Sequence, residues 1–295
     1  RRGRASTAIP PSGRRHAGRS EIVSPSSSSP PIPLASSRRA PTPAARRAPV
    51  VSPHLEPTRA SSVLGYPRIG RRRELKRALE RYWHGDDTRS QLLAVGRRIR
   101  DTTWHDLRDA GLTQLPGNTF SFYDHVLDDA LLLGAVPTRF REHTADLHPV
   151  DTVFALARGT ADVAPLELVP LQGTSYLYRQ PEFAPDTPLG LRPGELVAEV
   201  ARARELGYEI RPIVTGPVSL LLMSKAEPEA PTGFRPLDLL DRLLDEYEQL
   251  LRVLGADGVL CVQFDEPSLT MECTGACAIV CAAPPSTDVV AGRGL

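Results

Sequence analysis

The chain has 295 residues, 41% of them hydrophobic, and its 36 basic and 35 acidic side chains nearly cancel. That is ample apolar material for one large domain or two small ones, and no apolar run is long enough to span a bilayer. Residues 1–62 hold eleven Arg, no Lys and only Glu21 and Glu56, a net of +9, so the remainder carries −8; a mildly acidic body with a basic leader is unlike a nucleic-acid-binding domain.

The leader, residues 1–62, is rich in Arg, Ser, Pro and Ala and has no apolar periodicity. It cannot bury enough surface to offset its ordering entropy, so disorder is expected. Its composition fits an organellar transit peptide and fits mistranslated upstream sequence at least as well.

From Leu64 to Trp83 come a short apolar strand, a Pro/Gly turn and a basic helix start. Leu75, Ala78, Leu79 and Tyr82 recur at helical spacing and predict one apolar face. Arg72, Arg73, Lys76 and Arg77 crowd the first turns, where cations oppose the helix dipole and repel one another. A docked anion makes sense of that arrangement, and so does a solvated arginine-rich face. Arginine outnumbers lysine thirty-four to two. That bias reads as GC-rich coding; it lowers the weight of the arginines and raises that of Lys76.

Thr88 is placed to cap a helix running through Leu92, Leu93 and Ile99 toward Trp104 and Leu107. Phe120 to Tyr123 lead into a second helix, closed by Gly134 with Pro137 soon after. Asp124 and His125 beside Tyr123 form a compact acid–His–phenol cluster, read as solvated charges at a surface helix start. A Ser-His-Asp hydrolase is not supported, because no G-x-S-x-G elbow is present. Helix from Gly194 to Leu206, a stop at Gly207 and a buried strand from Ile210 to Val214 follow. The cycle repeats with a helix over Leu237–Leu254 and a strand over Gly258–Phe264. This alternation is the grammar of a parallel α/β fold. No glycine fingerprint for a dinucleotide or a nucleoside triphosphate follows any strand.

Asp265 and Glu266 lie directly after the last strand, a candidate strand-end site; an Asp/Glu-Pro turn that caps the next element is the simpler reading. Thr215-Gly216-Pro217 is either a tight turn or a backbone cradle. Cys261, Cys273, Cys277 and Cys281 fit no zinc or iron–sulfur spacing and read as incidental thiols of a reducing compartment; no metal site is expected.

Several of these segments together resemble the N-terminal domain of cobalamin-independent methionine synthase. They are Leu64-Gly-Tyr-Pro-Arg-Ile-Gly70 with Arg73-Glu-Leu-Lys76, and Phe122-Tyr-Asp-His-Val-Leu127 with Leu131-Leu-Leu-Gly134. Thr215-Gly-Pro-Val218 and Gln263-Phe-Asp-Glu-Pro267 complete the set. The resemblance implies an α/β fold of the TIM-like (β/α)8 type and a cytoplasmic, monomeric enzyme. Such an enzyme moves a methyl group from 5-methyltetrahydropteroyltri-L-glutamate to homocysteine without cobalamin. It also implies that zinc and homocysteine belong to a second, C-terminal barrel, and that Arg73, Glu74, Leu75 and Lys76 contact the folate's glutamate tail.

The family block E-M-T-K-W-F-D-T-N-Y-H-Y is replaced by Glu167-Leu-Val-Pro-Leu-Gln-Gly-Thr-Ser-Tyr-Leu-Tyr178, so the tail-binding lysine position falls on Pro170. The matching segment, 63–272, is shorter than the about 250 residues of a closed barrel, so an incomplete barrel is expected, with 273–295 an unrelated or frameshifted tail. Marginal stability follows from that expectation, and catalytic inactivity alone is expected because the zinc ligands belong to the second barrel. A non-catalytic folate-polyglutamate binder or a decayed fragment is the alternative.

Overall fold

The computed structural model describes residues 61–171 and 174–270. The expected tail 273–295 and all but the last two residues of the expected leader lie outside the described residues, as do Gln172, Cys273, Cys277 and Cys281.

Helix α1 spans Glu74–His84 and buries Leu75 and Ala78, with Leu79 and Tyr82 packed beside them. The apolar spacing therefore sets its inward face. Helix α2 spans Arg89–Asp109 and starts at the expected cap: the Thr88 hydroxyl accepts from Gln91 N–H, and the Gln91 side chain accepts from Thr88 N–H. Strand β1 is Leu115–Gly117 and α3 is His125–Leu132, whose chain turns away through Gly134 at φ 77°. Only glycine takes that backbone readily, and a Cβ there would lie 2.6 Å from the Gly190 carbonyl oxygen.

Two short helices follow, α4 (Thr138–Thr144) and α5 (Pro149–Arg158), which the sequence pattern did not announce. Next come β2 (Leu168–Pro170), β3 (Leu177–Arg179) and β4 (Glu182–Phe183). Helix α6 (Gly194–Glu205) ends before Gly207, and β5 (Ile210–Thr215) is buried, both as expected. Thr215-Gly216-Pro217 resolves as the entry to a further helix, α7 (Pro217–Leu222), with Gly216 at its N-cap. Strand β6 is Lys225–Ala226. The helix expected over Leu237–Leu254 is a 3₁₀ turn, Pro236–Leu239, continued by α8 (Leu240–Ala256). The last strand, β7, is confined to Gln263–Asp265, so residues 258–262 approach it as loop.

Three strands form a parallel sheet in the order β1-β5-β7, with Leu115 opposite Ile210 and Ile213 opposite Gln263. β2 and β3 pair as an antiparallel hairpin, and β4 pairs in parallel with β6. A barrel built in chain order sets each strand beside its successor. Here β5 sits beside β1, and β2 to β4 pair elsewhere. The described residues thus form a mixed α/β fold around a small parallel sheet, and no continuous barrel wall is traced among them.

Two apolar clusters hold these elements. One joins Leu115, Ile210 and Val214 of the sheet to Val200 of α6 and to Leu243 and Leu250 of α8. The other joins Ala78 of α1, Leu92 of α2 and Val153 and Leu156 of α5. Helix α3 belongs to both, giving Val126 and Ala130 to the first and Leu127 to the second. It therefore stands at the junction, with Asp129 of its second half accepting hydrogen bonds from Thr215 at the end of β5 and from Asn118 just after β1.

Candidate functional site

The basic turn of α1 is an exposed feature. Arg73 is the N-cap in a left-handed conformation, φ 61°, and its N–H donates to Gly70 carbonyl at 3.1 Å. Arg72, Arg73, Lys76 and Arg77 are all exposed, whereas Leu75 is 2% exposed and belongs to the core. Their internal pairing is thin. Lys76 Nζ is 3.7 Å from Glu80, Arg77 donates to the Arg72 carbonyl, and the Arg73 guanidinium has no hydrogen-bond partner among the described residues. Glu74 is the one anion at this end. Hydrogen bonds from its own N–H and from Arg72 N–H, the latter at 2.9 Å, hold its carboxyl below the ordinary carboxylate range.

The strand-end acids divide. Glu266 is committed to the fold: Oε2 accepts from Ser219 N–H at 2.7 Å and Oε1 from Val218 N–H at 3.2 Å. Its carboxylate thereby caps α7, an element that precedes it in the chain, while its backbone carbonyl accepts from Leu269 N–H at 3.1 Å and opens the 3₁₀ turn that follows, Pro267–Thr270. A Cβ on Gly216 would lie 2.2 Å from Glu266 Oε1, so the glycine makes room for the carboxylate. Asp265 is exposed and accepts from the Gln263 side chain at 2.6 Å.

The acid cluster of α3 is not solvated, contrary to the expectation for a surface helix start. Asp124 is 2% exposed and accepts from Leu127 N–H at 3.1 Å and from Arg179 N–H at 2.6 Å. Asp129 is 3% exposed; it accepts from Thr215 N–H at 2.8 Å, from Thr215 Oγ1 at 2.7 Å and from Asn118 Nδ2 at 3.1 Å. Burial raises the carboxyls of Asp124, Asp128 and Asp129 against the relief that hydrogen bonds give, Asp128 to about 8 and Asp129 to about 6. Burial and the charge of Arg68 together push His125 down to about 4. A sequence pattern shows which apolar residues of α3 seek the core; it does not show that the partners of Asp129 arrive from β5, 86 positions away. Arg68, from the turn before α1, donates to the Ser121 carbonyl at 2.9 Å and is the cation acting on this cluster.

Among the described residues no group of three or more His, Cys, Asp or Glu is arranged to hold a metal ion. Cys261 is exposed and free. Zinc therefore has no donor set among the described residues. No helix among the described residues is long and apolar enough to cross a membrane.

Comparison with known proteins gives these features a family. The family model described as "Cobalamin-independent synthase, N-terminal domain" matches residues 60–281. The 5-methyltetrahydropteroyltriglutamate–homocysteine methyltransferase of Streptomyces coelicolor is 44% identical over 216 residues, which are 73% of this chain and 28% of that protein. The protein of the same name from Mycobacterium tuberculosis H37Rv is 45% identical over 212 residues, 72% of this chain and 27% of that protein. This chain thus spans a little over a quarter of the length of the curated relatives it matches. The match takes in the basic turn of α1, the α3 cluster and both strand-end motifs, and it places the chain in the cobalamin-independent synthase family, to whose N-terminal domain it corresponds.

Proposed function

We propose that this chain provides the folate-docking part of a homocysteine methyltransferase that uses 5-methyltetrahydropteroyltri-L-glutamate as methyl donor in methionine biosynthesis. The basic turn of α1 receives the glutamate tail, with Arg73 and Lys76 as the charged contacts, Glu74 shaping the turn and Leu75 fixing it to the core. On this reading the segment 63–272 is part of an incomplete (β/α)8 barrel, of which the parallel strands β1, β5 and β7 are one stretch, and the methyl transfer itself, with its zinc and homocysteine, is carried by residues other than those described. In this reading the chain by itself does not turn over.

One observation supports it above the rest: four exposed cations stand at the positive end of a helix, with little internal carboxylate to balance them. A polyglutamate is a string of carboxylates. An arginine fork and a lysine point charge suit such a ligand, and the helix end adds to the attraction. Pro170, in β2, offers no cation, so more of the tail's charge falls to this turn.

Calorimetry with the triglutamate tests the reading. Binding that weakens about tenfold in Lys76→Gln, and weakens again as salt rises, is the expected result. No binding by the unaltered chain overturns it and leaves a decayed fragment. Methyl transfer by this chain alone, given zinc and homocysteine, overturns the claim of inactivity.

A further inference from the structure

A cleft of about 80 Å³ lies at the N-terminal ends of the parallel strands, the end of the sheet opposite Thr215. Gln114 immediately precedes β1, Ile210 opens β5, and Val259 lies on the approach to β7. Val200 of α6, 2% exposed, and Ile210, 8% exposed, give it an apolar floor. Arg204, Glu209 and Cys261 are exposed and form its rim.

The rim charges are uncommitted. The Arg204 guanidinium and the Glu209 carboxylate make no hydrogen bond or ion pair, with each other or with any other group, among the described residues. Arg204 reaches from α6 to the exit of α8, where a Cβ on Gly258 would lie 3.4 Å from its Nη2. Gln114 Oε1 accepts from Arg211 Nη1 at 3.1 Å, which leaves its Nε2 amide to donate. Helices α6 and α8 both end at this cleft, and their carbonyl ends favour a cation beside Glu209.

One kind of ligand uses all three features: a carboxylate and an ammonium on a single carbon that also bears an apolar side chain. An arginine fork takes the carboxylate, a carboxylate takes the ammonium, and the floor takes the side chain. A water needs about 10–15 Å³ of such space, so the cleft admits a side chain of about four heavy atoms. The charged groups then stay at the mouth. We propose that this cleft binds a free α-amino acid with an apolar side chain of that size, its carboxylate on Arg204 and Gln114 and its ammonium on Glu209. Methionine is one member of the class and leucine another. The site is separate from the basic turn of α1 and does not rest on the docking reading.

The test is calorimetry on the full chain with L-methionine and L-leucine. Saturable binding is expected for both, with affinity rising about fourfold per methylene from α-aminobutyrate to norvaline. N-acetyl-leucine, leucinamide and L-glutamate are each expected to bind about tenfold more weakly, as is L-leucine to Arg204→Gln or Glu209→Gln. Neither substitution takes a partner from the fold, because both side chains are exposed and unpaired among the described residues. Alkylation of Cys261, read by peptide mass spectrometry, is expected to slow when L-leucine is bound and gives a readout on the unaltered chain. No saturable binding, equal binding of the blocked forms, affinity unchanged in either variant, or alkylation indifferent to saturating L-leucine overturns the site.

Discussion

Asp128 holds its proton past neutrality because burial outweighs the relief from Ser121, and Asp124 and Asp129 add their charge to the penalty. A carboxyl raised from 3.8 to about 8 on folding stabilises the fold fully below the lower value and loses that contribution as pH rises through the upper one. Asp129, raised to about 6, follows the same rule over a narrower window. His125 opposes both: lowered from 6.5 to about 4, it withdraws stability as pH falls through that interval. Above about pH 6.5 only Asp128 of the three still titrates. The denaturation free energy is therefore expected to fall between about pH 6.5 and 8, and Asp128→Asn to remove that fall. Urea titrations at half-unit pH steps check it; an unchanged slope in the variant refutes the assignment. None of this was legible in the sequence, where an Asp-His-x-x-Asp-Asp helix start reads as ordinary surface charge.

At the scale of elements, local chemistry carried far. The Thr88 cap, the Gly134 and Gly207 stops and the apolar spacing of α1 each act within a few residues, and all stand where the sequence put them. Helix α5 escaped notice for a physical reason. Val150 and the run Thr152–Ala157 are all buried, so no polar face marks a helical period. The Glu266 cap of α7 escaped too, because donor and acceptor lie 47 and 48 positions apart. Glu266→Ala is expected to cost about 1–2 kcal/mol, the price of two amide donors at a helix start left without an acceptor. Thermal unfolding measures it, and Asp265→Ala, whose carboxylate faces outward, serves as the near-neutral control.

For the molecule as a whole, β7 ends the parallel sheet among the described strands, and Phe264 within it is 38% exposed. Leu260, on the approach to that strand, is 89% exposed. An open edge flanked by apolar side chains invites pairing with another chain. Light scattering at rising concentration is expected to report association, reduced by Leu260→Lys with little change in the melting temperature. Association that is indifferent to this substitution points to a different surface. The charge asymmetry acts at the same scale: the body carries the negative balance, and the exposed cations at the start of α1 stand out against it. Long-range attraction of a polyanion to that turn should weaken as salt screens it.

The residues alone determined the α/β alternation, the starts of α2, α3 and α6 and the family, because helical period, caps and motif spacing are properties of neighbouring positions. Which strand pairs with which, which carboxylates sink into the α3 junction and which remain free for a ligand were decided by tertiary structure alone. Those outcomes depend on desolvation and on hydrogen-bond partners brought together from distant parts of the chain, as Thr215 is to Asp129.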